Sequence, residues 1–418
     1  MTATPDTPEG ETGRISPWAS LQFRDFRLLF VSGFFSATAR EMRMVVNFYL
    51  IFELSDSAVL LGLTGLFQAI PLVFVGLAGG AMADLFDRRK ILLFARFMSL
   101  IPALSLGFLT LTGAIEVWHI FVAVGVTSAV GSLEPPAQMS YTTRVVPRSH
   151  LLNAIALNST LTQTAFFIGP VMLGFAGLFN IETAYFINAG LYIPSILALL
   201  LLGTSGVPEG PRQKMSLSVI GEGFRFVWMQ RVLFATFALD FGVVMVGFFR
   251  PLLTILAKDV YEVGPAGLGL LNGAPAVGSV LGSGTVLLMG RVHRGGVLFL
   301  VSVFLYGASL VALGLSPWYW MGLLAAGALG YTDSISVVIR SNLTQVLAPD
   351  RLRGRASSFT MVTAELGNAL GSMEAGFVAG LIGVANTLTF GGVAAMGVVI
   401  AGGLAWRELW RFRQEADP

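Results

Sequence analysis

Ser36, Arg40, Arg43 and Asn47 recur at intervals of four, three and four residues along one apolar stretch of the chain. On a helix that spacing places all four on one face. A guanidinium stays charged and only donates hydrogen bonds, so two of them among apolar residues can hold an anion or pair with carboxylates. Carboxylates occur in equally apolar surroundings: Glu41 next to Arg40, Asp240, and Glu365, which is followed by Asn368 and Ser372 at helical spacing. A carboxyl group placed there can exchange a proton, because burial favours its neutral form and a nearby arginine its ionised form. The chemistry expected is therefore recognition and proton transfer. Ser36, Arg40, Arg43, Asn47 and Asn368 are candidate substrate contacts, and Glu41, Asp240 and Glu365 are candidate proton-coupling groups. The structural alternative is a set of permanent ion pairs that fixes helix register. Asp333 and Arg340, seven residues apart, are expected to pair with each other.

The elements that must position these groups are membrane spans. The 418 residues are 55% apolar and 12% charged, with mean hydropathy +0.75, whereas a soluble domain carries about one quarter charged residues. Apolar runs of spanning length lie near 28–52, 59–83, 91–112, 117–141, 150–176, 181–203, 232–257, 267–290, 296–316, 318–346, 356–381 and 384–406. Lipid admits only helices and closed barrels, and barrel strands would be short and alternating. An all-α polytopic protein with 12 spans is the expected class. At about 1.5 Å per residue, Arg40 sits roughly 18 Å into a hydrocarbon core about 30 Å thick. Even a mild insertion scale charges about 2.5–3.5 kcal/mol for an arginine there, so Arg40 and Arg43 are expected to meet water, carboxylates or both.

Composition also excludes functions. With no cysteine there is no disulfide framework and no thiolate chemistry. The three histidines lack ligand spacing, and no phosphate-cradling loop or nucleophile arrangement occurs. No metal, no cofactor and no enzyme activity are expected. Of the 26 Lys and Arg, Arg40, Arg43, Arg250 and Arg340 lie at membrane depth and Lys258 alone falls in the alternate loops, with the remaining 21 assigned to tails and the other loops. That asymmetry places both termini in the cytoplasm and accounts for the basic excess without nucleic acid. The expected organisation is a cytoplasmic tail at 1–25, six-span halves at 26–203 and 232–406, a cytoplasmic linker at 204–231 and a tail at 407–418. The first 25 residues carry no apolar stretch, so a cleaved signal peptide is not expected.

The halves overlay at an offset near 202. Val146-Pro147-Arg148-Ser149-His150-Leu151 aligns with Ala348-Pro349-Asp350-Arg351-Leu352-Arg353, and Ala156, Ala165, Gly169 and Gly174 align with Ser358, Gly367, Gly371 and Gly376. Pseudo-symmetric six-helix halves enclosing a midplane cavity are a transporter plan. The loop Gly80-Ala-Met-Ala-Asp84-Leu85-Phe-Asp87-Arg88-Arg89-Lys90 is similar to the signature loop of the major facilitator superfamily, with Leu85 where that family usually carries Arg. Span 5, with Ala156, Ala165, Gly169, Pro170 and Gly174, looks like the glycine-rich motif of its antiporters. Ser36-x2-Ala39-x2-Met42, Glu134-Pro135-Pro136-Ala137-Gln138, Val146-Pro147 and Arg353-Gly354-Arg355-x2-Ser358 resemble the branch containing enterobactin-exporter-like and macrolide-efflux-like permeases. Gln138 stands where that branch usually has Arg, and Arg340, nearly equivalent through the repeat, is expected to compensate.

The resemblance implies the major facilitator fold and a gate formed by Gly80, Asp84, Arg88, Arg89, Gly169, Pro170, Arg353 and Arg355. It also implies proton-driven export of a siderophore-like anion or a drug-like compound, by a monomer in the bacterial cytoplasmic membrane. The alternative of the same fold is an importer of a small metabolite; a receptor or membrane enzyme is a remoter one.

Overall fold

The computed structural model of the chain describes residues 16–177, 180–207, 225–289 and 294–411, and of residues 73, 76–85, 350–362 and 411 the backbone alone. Among the described residues every regular element is helical. The first group comprises α1 (Arg24–Ser55), α2 (Ala58–Leu85), α3 (Arg88–Leu111), α4 (Val117–Gly131), α5 (Glu134–Val145), α6 (Leu151–Ala176) and α7 (Ile181–Leu200). The second comprises α8 (Arg231–Gly247), α9 (Pro265–Met289), α10 (Gly295–Gly314), α11 (Tyr319–Leu347), α12 (Asp350–Ile382) and α13 (Val384–Ala405). Each expected span falls on helix. Nine segments among the described residues are long and apolar enough to cross a membrane. The other expected spans fall on α1, α2 and α12, of 32, 28 and 33 residues. Leu152, Leu287, Leu288 and Leu404 are each more than 60% exposed on the outer faces, a surface suited to lipid rather than water.

Two expected spans are broken. The fourth divides at Ser132 and Leu133, because Pro135 and Pro136 sit in the first turn of α5, where their missing N–H groups cost nothing. The seventh breaks after Gly247: Phe248 is extended, with ψ 124°, and helix resumes as Leu252–Ile255 and a π-helical turn at Leu256–Val260. Pro251 explains the position, since proline disfavours helical backbone in the residue before it. That residue is Arg250.

Within the first group α1 packs on α6 and α7, and α3 on α4, α5 and α7; within the second α9 packs on α11, and α13 on α8 and α10. The groups meet where α2 crosses α12 and α6 crosses α9. Glycines set both crossings, as expected where small residues let helices approach without a hydrophobic driving force. A Cβ on Gly62 would lie 2.7 Å from the Gly376 Cα, and one on Gly269 would lie 2.5 Å from the Pro170 carbonyl oxygen. Both contacts belong to the same end of the bundle, the one carrying the connections at 56–57 and 261–264.

At the opposite end the first residues of the linker are clasped. Asp25 accepts from the Thr204 hydroxyl and amide at 2.5 and 2.6 Å and from the Gly203 amide at 3.3 Å. Tyr141 donates to the Thr204 carbonyl at 2.5 Å, and Arg144 to that of Val207. Burial pushes the Asp25 carboxyl up, but the Thr204 and Gly203 hydrogen bonds and neighbouring Arg24 outweigh it and hold the group below its ordinary value. The Arg88 amide donates to the Gly206 carbonyl at 3.0 Å, and Arg89 donates to the carbonyls of Leu200 and Leu202 at 2.6 and 3.1 Å. These contacts of Arg88 and Arg89 all lie within the first group and the segment that follows it. The side chains of Asp84, Arg353 and Arg355, and the surroundings of Gly80, lie outside the described residues.

Candidate functional site

The polar stripe on α1 divides by neighbour. Arg43 donates to the Tyr192 hydroxyl at 2.6 Å, and Asn47 accepts from the Tyr185 hydroxyl at 2.9 Å. One helix over, Asn188 donates to the Ala39 carbonyl at 2.5 Å, and Ser32 and Ser195 hydroxyls meet at 3.0 Å. These contacts form a ladder along the α1 and α7 seam, with Ser36, Arg43 and Asn47 all buried. Arg43 thus meets a phenol at a buried position. Arg40 is the exception. It stands at the edge of the stripe, roughly 60° from Arg43 at 100° per residue, and its side chain is 48% exposed in the middle of a 32-residue helix.

Around Arg40 the structure gathers a charged cluster from both groups of helices. Glu41 is only 6% exposed, yet it uses both carboxylate oxygens: Arg40 Nε lies 3.4 Å from one, and Arg250 Nη1 3.2 Å from the other. Arg250 arrives from the break in the seventh span, where its side chain is free of a continuous helix face. Its guanidinium lies 5.0 Å over the Phe166 ring and 3.7 Å from the Met44 sulfur. Exposed Glu365 on α12 interacts electrostatically with Arg40, Glu41 and Arg250, and exposed Asp333 on α11 with Arg250. Gly169 seats Glu41: a Cβ there would be 2.6 Å from the Glu41 Cβ and 2.8 Å from the Met42 amide nitrogen. Pro170, one residue on, lies inside an unbroken α6 and presents its carbonyl to Gly269.

Asp240 is elsewhere. It pairs with Arg340, joining α8 to α11 within the second group, with side-chain exposures of 13% and 7%. The expected Asp333–Arg340 pair is therefore corrected: Arg340 pairs with Asp240, which is thereby engaged away from the α1 arginines. Through the repeat, Asp240 and Arg340 correspond to Thr38 and Gln138, so the first half has neutral residues where the second has an ion pair. A further buried charge of the first half is Arg96, which pairs with Glu134 and donates to Ser195 at 3.1 Å. Arg96 does not belong with the loop residues that write topology; it is 1% exposed inside α3. Its distance from the basic run Arg88-Arg89-Lys90, more than a full helical turn into an apolar stretch, was the available signal. For Arg250 the signal was the following proline. Asn368 is partly buried one turn beyond Glu365, while Ser372 is buried beside Gly62 and Gly65 at the α2 crossing.

A major facilitator family model described as transmembrane secretion effector matches residues 15–412. The chain is 29% identical over 364 residues to the enterobactin exporter EntS of Salmonella choleraesuis (strain SC-B67), covering 82% of this chain and 83% of that protein. It is 26% identical over 405 residues to the enterobactin exporter EntS of Shigella boydii serotype 4, covering 93% of each. Among solved structures, a bacterial homologue of the human lysosomal transporter Spinster, inward-facing and unoccupied, superposes with a TM-score of 0.71 at 16% identity, covering 93% of this chain and 96% of that one. A point mutant of the nucleoside transporter NupG gives 0.75 at 13% identity, covering 91% and 99%. These last two likenesses establish a shared fold.

Proposed function

The chain belongs to the transmembrane secretion effector family of major facilitator transporters, and from that premise we propose that it exports a small organic anion, driven by the proton gradient, through alternating access. It is a membrane transporter, not an enzyme, and a multi-pass protein of the bacterial inner membrane. In the proposed arrangement twelve helices cross the bilayer as halves 26–203 and 232–406, with both termini and the 204–231 linker cytoplasmic and the carrier acting as a monomer. The observation that carries the reading is Glu41 shared between Arg40 of its own half, whose side chain is 48% exposed, and Arg250 of the other.

Ionised, Glu41 ties the halves together and occupies both guanidiniums. On the inward-open side the anionic group of a substrate displaces this carboxylate from the two guanidiniums, and on the outward-open side, once the anion has left, a proton neutralises Glu41 and is carried back to the cytoplasm. Arg40 and Arg250 are the substrate contacts in this scheme, Glu41 and Glu365 the proton-coupling groups, and Phe166 an apolar wall. Arg43 and Asn47 hold α1 against α7 so that Arg40 and Glu41 keep their aim. The glycine crossings of α2 with α12 and α6 with α9 support a state closed at the outer end and open inward, and Gly80, Asp84, Arg88, Arg89, Arg353 and Arg355 are assigned to the inner closure. The relatives' names make a siderophore-like anion the first substrate to try, ahead of drug-like compounds.

Everted membrane vesicles carrying the protein are expected to accumulate enterobactin when their interior is acidified, and to lose that uptake with Arg40→Ala or Arg250→Ala. Uptake indifferent to the gradient would refute proton coupling. Failure of a panel of siderophores and other organic anions to enter would refute the substrate class.

A further inference from the structure

A cavity separate from the arginine cluster lies at the end of the bundle where the glycine crossings are. Its volume is about 250 Å³, and its polar walls are Tyr49 of α1, Thr254 and Lys258 of the helix resumed after the break, and Glu262 of the loop before α9. Three of these groups have bonding capacity left over. The Thr254 hydroxyl is buried, the residue being 1% exposed, and has no hydrogen-bond partner, an unsatisfied state that natural interiors seldom tolerate without a ligand or water. Lys258 has three donors; one reaches Glu53 of α1 at 3.1 Å, and the ammonium lies 5.1 Å over the Phe52 ring. Glu262 is exposed and held at φ +51°, a left-handed conformation uncommon for a side chain of this kind.

Charge narrows the occupant. A simple cation would meet Lys258, and a simple anion would meet Glu262 with Glu53, Asp56 and Asp259 close behind. A molecule carrying both charges satisfies each wall. The rest of the lining includes Val263 and Leu268, which favours an apolar side chain. At roughly 30 Å³ per water, the volume equals about eight waters, comparable to a small amino acid. We propose that this cavity binds a free apolar amino acid as its zwitterion. The carboxylate accepts from Lys258 and Thr254, and the ammonium donates to Glu262 and the Tyr49 oxygen. Because Tyr49 and Glu53 come from one half and the other groups from the second, the occupant bridges the halves. The site stands whether or not the export reading holds.

The test uses the purified full-length protein in detergent and calorimetric titration with leucine, 3-methylbutylamine and 4-methylpentanoate. Leucine is expected to bind saturably, and each analogue, lacking one charge, at least tenfold more weakly. Thr254→Val, nearly isosteric, and Glu262→Gln, at an exposed position, are each expected to weaken leucine at least tenfold with the melting transition unchanged. The proposal is overturned by absence of saturable leucine binding, by equal binding of either analogue, or by leucine affinity that both substitutions leave intact. Loss of leucine binding on Arg40→Ala would locate the ligand at the central cluster and overturn it as well.

Discussion

Gly65→Val tests the closure of the outer end most directly. A Cβ on Gly65 would lie 2.1 Å from the Ala369 carbonyl oxygen and 2.9 Å from the Ser372 Cβ. Carbon and carbonyl oxygen come no closer than about 3.3 Å in ordinary contacts, so α2 and α12 must part by roughly 1.2 Å at this level before the rest of the valine is accommodated. Overpacking of this kind costs about 1–3 kcal/mol, and all of it falls on the closed state. The equilibrium should shift toward an open outer end by roughly 5- to 150-fold. The chain has no cysteine, so Met44→Cys supplies a unique thiol beside Arg250, where the parent methionine sulfur lies 3.7 Å from the guanidinium. In right-side-out vesicles an impermeant maleimide is expected to label that thiol faster by this factor when Gly65→Val is added. Gly397, with open space around its would-be Cβ, is the control, and Gly397→Val should leave the rate alone. Equal labelling of the Gly65→Val protein and its parent, both folded, would refute the idea that this close approach holds the end shut.

Removing one member of the Asp240–Arg340 pair should be worse than removing both: Arg340→Met leaves a buried carboxylate and is expected to destabilise by about 3–5 kcal/mol, while Asp240→Leu with Arg340→Met returns most of the loss, read from thermal unfolding of the four proteins. Arg43→Met should lower stability through the lost Tyr192 bond yet retain transport in the surviving folded fraction, whereas Arg40→Ala should retain folding and lose transport; the opposite pattern would exchange their assigned roles. Glu41→Gln removes the tie to Arg250 and is expected to make transport independent of the pH gradient, measured in the everted vesicles. The Asp25 clasp should depend on acid in one direction only. Its folded pKa lies below the ordinary 3.8, so its contribution is complete above the unfolded value and is lost as pH falls through the lower folded one. Hydrogen exchange at the Thr204 amide, corrected for intrinsic rate, should stay slow at mildly acidic pH and quicken only below that range, and Asp25→Asn should remove the dependence.

Much of this architecture was legible because lipid imposes a simple rule: twenty or so apolar residues make a helix, and exceptions stand out. The helical course of the expected spans and the position of Arg40 and Glu41 deep within α1 follow from that rule. What the rule does not contain is which face of a helix meets which neighbour. Ser36, Arg43 and Asn47 share a face with Arg40 in sequence, but α7 presents Tyr192 to Arg43 and Tyr185 to Asn47, and Ser36 is buried. Asp240 looked available to the α1 arginines only because the register of α8 against α11 is invisible to periodicity. Arg250 was visible as a charge at depth, and Pro251 marked a break, yet its reach to Glu41 depends on the path of the chain between Gly247 and Leu252.

The Asp240–Arg340 ion pair of the second half also constrains how the protein is made. Asp240 and Arg340 are 100 positions apart, so at about 5–20 residues per second the carboxylate is synthesised roughly 5–20 seconds before its partner. During that interval α8 must wait with its acid neutral, hydrated or sheltered by the insertion machinery, and α11 enters a bilayer in which a counter-charge already stands ready. The first half, with Thr38 and Gln138 at the matching places, has no such appointment to keep between its own equivalent helices. Assembly of the second half is therefore tied to the order of translation at one identifiable pair, and exchanging Asp240 with Arg340 would reverse which charge has to wait.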